Sequence, residues 1–155
     1  MKRECEIKLV DRKGGWHDAG IALELMRSPD APVDPPGDER LCRVTLRWSG
    51  GEVVGQARDY FTAFCRIREQ LEPIGVLPHC YAASRKVILR GIDQDLGAGL
   101  MVYRAEIGQN LDDSDRVDIF ASGPDVEPAT VEAQRAFQEE YHGAAWPVIR
   151  GLLGW

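Results

Sequence analysis

The chain has 155 residues, of which 44% are hydrophobic and 28% are charged, and its formal net charge is −6. This balance is typical of a protein with a packed core and excludes an intrinsically disordered chain. The length fits a single domain over residues 1–155. The acidic charge opposes non-specific attraction to nucleic acid or to an anionic membrane face, so the partner that it favours is a basic protein.

The cysteines predict a reducing compartment. Cys5, Cys42, Cys65 and Cys80 lie far apart and form no C-x-x-C pair, and the N-terminal sequence has no apolar signal core. We therefore expect a cytoplasmic protein with free thiols. Because no apolar run approaches the roughly 20 residues that span a bilayer, we also expect no membrane helix.

Hydrophobic alternation predicts two antiparallel hairpins near the N-terminus. Glu4–Val10 and Ala19–Leu25 place apolar and charged side chains on opposite faces, and a Gly-Gly turn lies between them. Cys42–Trp48 and Glu52–Gly55 repeat the pattern around a Ser-Gly-Gly turn. The first part of the chain is therefore expected to form an antiparallel sheet with one wet face.

Two features around these strands allow a functional and a plain interpretation. The segment Ser28–Asp38 holds four prolines and no periodic apolar signal, so it is expected to be an extended surface loop, either a connector or a lid. Arg43 and Arg47 share the polar face of one predicted strand. They are either solvated there or form an anion site.

The apolar period changes from two to about 3.6 between Ala57 and Leu71, which predicts an amphipathic helix. Asp59 lies at its start, where a carboxylate can accept from free backbone N–H groups, and Pro73 with Gly75 is expected to end it. The apolar stripe consists of Tyr60, Phe61, Phe64, Ile67 and Leu71. We expect this stripe to be buried against the sheet.

A hairpin is predicted at the centre of the chain. Val87–Leu89 and Leu100–Ile107 read as strands, and Gly91–Gly99 connects them. Beyond it, Leu111–Asp115 predicts an acidic turn and Val117–Ala121 a short apolar strand. The hairpin combines charged turn residues with apolar strands, which makes it the first place to look for a site.

Five side chains of this hairpin are candidate binding residues: Arg85, Arg90, Asp93, Asp95 and Tyr103. Arginines flank a glycine-rich loop that carries two aspartates, so opposite charges can meet around a pocket. If burial raised the pKa of one aspartate and water kept the other ionised, the two could act as acid and base. Hydrogen bonds within turns explain both aspartates without any function.

The last element predicted is a helix over Thr130–Tyr141, capped by Thr130 or Glu127 and ended by Gly143 to Pro147. The tail Val148–Trp155 is apolar. It either packs back on the body of the protein or forms an exposed patch through which the chain makes a homo-oligomer.

No motif predicts catalytic residues, a metal site or a cofactor. His79 and Cys80 are adjacent, and neighbouring residues of a strand point to opposite faces, so the pair is poorly placed for joint nucleophilic or zinc chemistry. Gly97-Ala98-Gly99 is followed by a strand pattern rather than by the helix that a phosphate site needs. No enzyme class follows from these residues.

Six short motifs lie between Ala57 and Tyr141: AFCRIREQLEPIG, CYAAS, GIDQDLGAGL, VY, VDIF and TVEAQRAF. As a set they resemble a family of small bacterial cytoplasmic proteins of unknown chemistry. Ala82 and Ile92 replace a glycine and a methionine of similar chains. The resemblance implies a single α+β domain and a protein-binding role, because some members lie beside polymorphic-toxin systems and are suspected immunity proteins.

Together the patterns predict an α+β protein in which six or seven mainly antiparallel strands form a sheet packed against two principal helices. For function we expect a binding protein without catalytic activity, with a toxin-neutralising immunity protein as its specific form. The alternative is a small-ligand-binding domain or a hydrolase-like enzyme that uses the loop between Arg85 and Tyr103.

Overall fold

The computed structural model describes residues 2–27 and 40–152 and has an α+β fold. The elements in chain order are β1 (Lys2–Asp11), β2 (Trp16–Arg27), β3 (Arg40–Trp48), β4 (Gly51–Ala57), α1 (Tyr60–Leu71), β5 (Val76–His79), β6 (Val87–Ile88), α2 (Gly91–Asp95), β7 (Met101–Arg104), β8 (Arg116–Asp118) and α3 (Val131–Leu152). Short 3₁₀ turns lie at Glu72–Ile74, Tyr81–Ala83 and Asp113–Asp115.

The first sheet has five antiparallel strands in the order β4-β3-β2-β1-β5. Both predicted N-terminal hairpins are confirmed. Their alternating apolar residues share one buried face, where Leu9, Leu23, Val44 and Leu46 are fully buried. Leu25 is the exception at 47% exposed, and it lies near the end of β2.

Helix α1 covers the buried face of this sheet, as the periodicity predicts. All five residues of the apolar stripe are buried. The Asp59 cap is confirmed, since its Oδ1 accepts from the Thr62 backbone N–H at 2.8 Å. The helix lies so close to β4 that a methyl group added to Gly55 would overlap the carbonyl oxygen of Ala63. Glycine is therefore required at this contact.

The second sheet has three short antiparallel strands in the order β6-β7-β8. The central hairpin is confirmed by the pairing of Val87 with Arg104 and of Ile88 with Tyr103. Helix α3 lies against this sheet through Phe137 and Tyr141, which form a small buried cluster with Ile88 and Ala105.

The prediction of one sheet with six or seven strands is wrong in its details, although the α+β class is confirmed. Within residues 2–27 and 40–152, eight strands form two sheets. The pattern missed β5, because four residues that include Pro78 are too few to show alternation. The connection predicted between β6 and β7 contains the short helix α2. The sequence did not predict this helix, because glycines before and after it are typical of a loop.

The predicted end of the last helix is also wrong. Thr130 caps α3 by accepting from the Ala133 N–H at 3.1 Å, but the helix continues past Gly143 and Pro147 to Leu152. A proline removes only one i→i−4 hydrogen bond, and the alanines before it favour helix. The predicted loop Ser28–Asp38 lies outside the described residues. So do the side chains of the Val148–Trp155 tail, on which the predicted homo-oligomer depends.

Arg68 of α1 ties the two sheets together. It is 1% exposed, and its guanidinium donates to the backbone oxygens of Ala82 and Ala129 and to Gln134 Oε1 at 2.8 to 3.0 Å. No carboxylate lies within ion-pair distance of it among the described residues, and burial lowers its pKa. The hydrogen bonds of this buried cation therefore fix α1 against the turn after β5 and the start of α3.

No helix in the part of the chain that the structure describes is long and apolar enough to cross a membrane.

Candidate functional site

The central hairpin forms one side of a shallow surface groove of about 540 Å³, which we call the α2 groove. Its lining residues are Arg90, Ile92, Asp93, Leu96, Tyr103, Asp113 and Arg116. Three of the five predicted binding residues, Arg90, Asp93 and Tyr103, therefore lie together. Arg85 and Asp95 are not among the residues that line it.

Asp93 is the most unusual residue of this groove because a carboxylate seldom lies so deep. It belongs to the first turn of α2, and its side chain is 7% exposed. Arg116 of β8 donates to Asp93 Oδ1 from Nη2 at 2.9 Å and from Nε at 3.2 Å. Asp93 Oδ2 is buried and has no hydrogen-bond partner among the described residues. One oxygen is thus held by an arginine and the other retains its full capacity to accept.

Arg90 stands beside Tyr103 on the neighbouring strand. Its guanidinium carbon lies 5.3 Å from the centre of the Tyr103 ring, and Nη1 approaches the hydroxyl at 3.4 Å. Stacking of this kind holds a guanidinium in place through the negative face of the ring and leaves most of its N–H donors available. Arg90 makes no ion pair with the carboxylates that the structure describes.

Two exposed apolar side chains complete the α2 groove. Ile92 is 56% exposed and Leu96 is 82% exposed. They are four residues apart, so the helical turn of α2 places them on one side. Single exposed apolar residues are common, whereas an adjacent pair beside a buried carboxylate and a stacked arginine makes this groove a candidate contact surface.

Contacts with the start of α1 hold the short helix α2 in position. Asp59, the cap of α1, accepts from Gln94 Nε2 at 2.9 Å, and the Tyr60 N–H donates to the Ala98 oxygen at 2.8 Å. Ala98 and Gly99 have φ angles of 55° and 69°, which reverse the chain between α2 and β7. The G-x-G pattern therefore serves this turn, and the loop is fixed against the start of α1.

Asp95 faces away from this site. It is exposed, and its backbone oxygen accepts from Arg40 Nη1 at 2.9 Å. Asp95 is not among the residues that line the α2 groove, so the two aspartates do not form within that groove the acid–base pair that the sequence suggested.

Arg85 pairs with Glu127, a lining residue of a second groove that we call the acidic groove, although Arg85 itself does not line that groove. Its guanidinium lies 3.2 Å from Glu127 and over the ring of Phe137 at 5.7 Å. The acidic groove measures about 410 Å³, and the ionisable side chains among the residues that line it are Tyr81, Lys86, Arg104, Glu106, Asp115, Asp125 and Glu127. Four carboxylates thus face two cations.

Hydrogen bonds order the centre of the acidic groove. The Tyr81 hydroxyl donates to Asp125 Oδ1 at 2.7 Å, and Arg104 Nη1 lies 3.5 Å from Asp125 Oδ2. The hydrogen bond from Tyr81 holds the pKa of Asp125 below its ordinary value, with a smaller contribution from Arg104. Burial makes the largest contribution to the raised pKa of Tyr81, and the hydrogen bond to Asp125 makes the next largest. At neutral pH this groove therefore contains an ionised aspartate and a neutral tyrosine.

The acidic turn near this groove is held by its own hydrogen bonds. Asp112 Oδ1 accepts from the Ser114 N–H at 3.2 Å, and Asp115 Oδ2 accepts from the Asp112 N–H at 3.1 Å. These reciprocal contacts form a capping box at the start of a 3₁₀ turn. In the described residues no group of three or more histidine, cysteine or acidic side chains is arranged to hold a metal ion.

The structure separates His79 from Cys80, as the strand pattern predicts. Cys80 is fully buried, and burial raises its pKa to about 12, so its thiol stays protonated. His79 lies at the surface, where Nδ1 is 2.7 Å from Ser122 Oγ and the ring meets Trp16 edge-on at 5.2 Å. The two side chains cannot work as a nucleophile and its base.

Neither protein-family models nor curated proteins gave a match to this chain. The resemblance of residues 57–141 to a bacterial family therefore stays a prediction. The fold and the two grooves define an α+β protein with candidate binding surfaces on either side of its central hairpin.

Sequence reasoning missed several residues of both grooves. Arg116 and Leu96 line the α2 groove, and Tyr81 and Asp125 form the centre of the acidic groove. Arg116 lies 23 positions after Asp93 and meets it only through the pairing of β7 with β8. Leu96 carried a weak signal, because a large apolar residue in a glycine-rich loop has no obvious burial partner.

Proposed function

We propose that this protein is a binding protein without catalytic activity and that a basic protein docks at its acidic groove. The observation that carries the proposal is the lining of that groove, in which four carboxylates outnumber two cations. A groove with an excess of one charge attracts the opposite charge and orients a partner before contact.

The carboxylates are accessible to a partner. The side chains of Glu106, Asp125 and Glu127 are 57%, 47% and 52% exposed. Each of them pairs with a lysine or arginine side chain, and exposed ion pairs of this kind add roughly 0 to 1 kcal/mol to stability. A lysine or arginine of the partner can therefore replace the internal cation at small cost, which suits reversible docking.

The resemblance adds a specific form to this proposal, in which the partner is a basic toxin and the protein neutralises it in the cytoplasm. An acidic inhibitor that covers a basic toxin gains speed of association from long-range attraction, and speed is what protection against a toxin requires. The genes on either side provide an independent check, because an immunity protein is expected beside the gene for its toxin.

The test is a pull-down from the native host at moderate salt with matched variants as bait. The groove variant is Glu106→Gln with Glu127→Gln, and its control is Glu4→Gln with Glu6→Gln on the open face of the first sheet. Both variants lose two negative charges. We expect a stoichiometric basic partner with the wild type and the control and a loss of at least about tenfold with the groove variant. Equal capture by both variants, or no partner for the wild type, overturns the proposal.

A second candidate function is small-ligand binding at the α2 groove. Its specific support is that Arg90, Asp93 and Tyr103 line one groove and that Asp93 Oδ2 is buried without a hydrogen-bond partner in the described residues. The hydrolase-like version of this function has less support, because Asp95 lies outside the groove. Binding is therefore the form in which the second candidate is proposed.

A further inference from the structure

The orphaned oxygen of Asp93 is a feature that the proposed basic partner does not explain. Arg116 satisfies Oδ1 with two N–H groups, which leaves Oδ2 without a donor in the described part of the chain. Buried polar groups in folded proteins nearly always have a partner, so an exception beside a groove points to a group that arrives from outside. An ionised carboxylate only accepts, and the missing group must therefore be a donor.

We propose that the α2 groove binds an apolar α-amino acid, with its ammonium group at Asp93, its carboxylate at Arg90 and its side chain against Ile92 and Leu96. This inference rests on the second candidate function, small-ligand binding, and names the ligand class. An ammonium group donates to a carboxylate through short, charge-assisted hydrogen bonds, which are about twice as strong as neutral ones. Asp113 also lines the groove and adds a second negative charge that attracts the ammonium group.

The carboxylate end follows from Arg90. Its guanidinium is held over the Tyr103 ring and makes no ion pair with a described carboxylate. A planar guanidinium fixed in this way presents two parallel N–H groups to a carboxylate. Tyr103 is 4% exposed, so it serves as a rigid support.

The apolar end follows from the exposed pair on α2. Ile92 and Leu96 provide an aliphatic wall that loses contact with water when a ligand side chain lies on it. Leu96 is 82% exposed, so its side chain can rotate as a ligand approaches Asp93 Oδ2, while Arg116 stays bound to Oδ1.

The charge of the groove favours a zwitterion over a simple acid or amine. Its lining carries two arginines and two aspartates, and one pair of them, Arg116 with Asp93, is already joined. A ligand with only one charge leaves either Arg90 or Asp93 Oδ2 without a partner. A ligand with adjacent positive and negative groups satisfies both.

The test is a titration of the ¹⁵N-labelled full chain, followed by amide chemical shifts at pH 7. The reference probe is L-leucine. Glycine lacks its side chain, 4-methylpentanoate lacks its ammonium group, and 3-methylbutylamine lacks its carboxylate. We expect saturable shifts at residues 90–96, 103 and 116 with L-leucine and affinities at least about tenfold lower for each of the other three.

Matched variants assign the effect to the groove. Asp93→Asn and Arg90→Gln are each expected to weaken L-leucine binding by about tenfold or more. Asp95→Asn makes the same change of charge two residues away on the exposed side of the loop and is expected to leave binding unchanged. Thermal melts show whether each variant is folded. Because Asp93→Asn changes a buried group, its loss of binding counts only if Arg90→Gln, which changes an exposed group, also weakens binding.

Two results overturn the proposal in distinguishable ways. If 4-methylpentanoate or 3-methylbutylamine binds at these residues as well as L-leucine does, the groove is a small-ligand site but its ligand is not a zwitterion. If none of the four probes gives a saturable shift, or if Asp95→Asn weakens binding as much as Asp93→Asn, both this inference and the second candidate function fail.

Discussion

The two sheets of this protein are built in different ways. Strands β1 to β4 of the first sheet are 7 to 12 residues long and pair along almost their full length. Strands β6 to β8 of the second are 2 to 4 residues long. The first sheet is therefore specified by backbone ladders and apolar alternation. The region around the second sheet depends on hydrogen bonds that Arg68 donates and that Asp93 and Asp59 accept.

This difference explains where the candidate sites lie. A region held by polar side chains presents charged groups that are already fixed in position, and fixed groups bind with less loss of conformational entropy. Both the α2 groove and the acidic groove lie beside the second sheet. The first sheet serves as the platform on which this region is mounted.

The largest expected effect comes from cutting the joint between the two regions. Arg68→Met removes a fully buried cation and leaves the Ala129 backbone oxygen and the Gln134 amide oxygen without their donor. The Ala82 oxygen loses one of its two donors and keeps the hydrogen bond from Gln134 Nε2 at 2.8 Å. We expect the free energy of unfolding to fall by about 4 kcal/mol, since each buried acceptor left unsatisfied costs about 1 to 3 kcal/mol and the methionine recovers part of that by packing. Urea denaturation measures the change.

The matched control for this variant is Arg66→Met on the exposed side of the same helix. The Arg66 side chain is 56% exposed and forms an exposed ion pair with Glu69 at 3.7 Å, so its loss is expected to change stability by less than about 0.5 kcal/mol. Hydrogen exchange adds the regional readout, because Arg68→Met is expected to lose protection around residues 82 and 129 before β2 and β3. Similar losses for the two variants would show that the second region does not depend on Arg68.

The next effect tests the first sheet alone. Gly55→Ala places a methyl group on the Ala63 carbonyl oxygen, so α1 must move away from β4. Overpacking of this kind costs about 3 kcal/mol. Gly20→Ala in β2 is the control, because a methyl group there meets nothing within 4 Å. If the two variants had equal thermal midpoints, α1 would not be packed as closely on the sheet as the structure indicates.

Sequence patterns predicted the first region far better than the second, and the reason is physical. Residues of β1 and β3 alternate because one face is buried and the other is wet, and the α1 stripe follows a single helical period. These signals are local. The contacts of the second region are not local. Arg116 bonds to Asp93, Tyr81 bonds to Asp125, and Arg68 bonds to Gln134, and the partners are 23 or more positions apart in each pair. No periodicity in the sequence predicts such contacts.

The candidate site was predictable only in part for the same reason. Arg90, Asp93 and Tyr103 were found because charged, glycine and aromatic residues crowd into one stretch, and the hairpin brings them together. Arg85 and Asp95 belong to the same stretch but point elsewhere, since α2 turns the loop in a way that strand reasoning did not foresee. Proximity along the chain identified the loop and not the direction of each side chain.

The smallest expected effect concerns the second region, where the hydrogen bond from Tyr81 lowers the pKa of Asp125. Removal of the Tyr81 hydroxyl in Tyr81→Phe takes away the main cause of the lowered pKa of Asp125, so that pKa is expected to rise toward the ordinary aspartate value of about 3.9. The lowered pKa contributes stability that is present above the unfolded-state pKa and is lost as pH falls through the folded-state pKa. The acid-dependent part of the stability is therefore expected to shrink in the variant.

Carboxyl NMR titration of Asp125 and urea denaturation between pH 2 and pH 6 measure these two quantities. Tyr141→Phe is the control, because the Tyr141 hydroxyl donates to a backbone oxygen, that of Gln109, at 2.8 Å. Both variants lose one tyrosine hydroxyl at a cost of about 1 kcal/mol, but only Tyr81→Phe is expected to change the pH dependence. An unaltered Asp125 pKa in Tyr81→Phe would mean that the Tyr81 hydroxyl does not lower it and that Arg104 and a backbone hydrogen bond at Asp125 hold the pKa below its ordinary value.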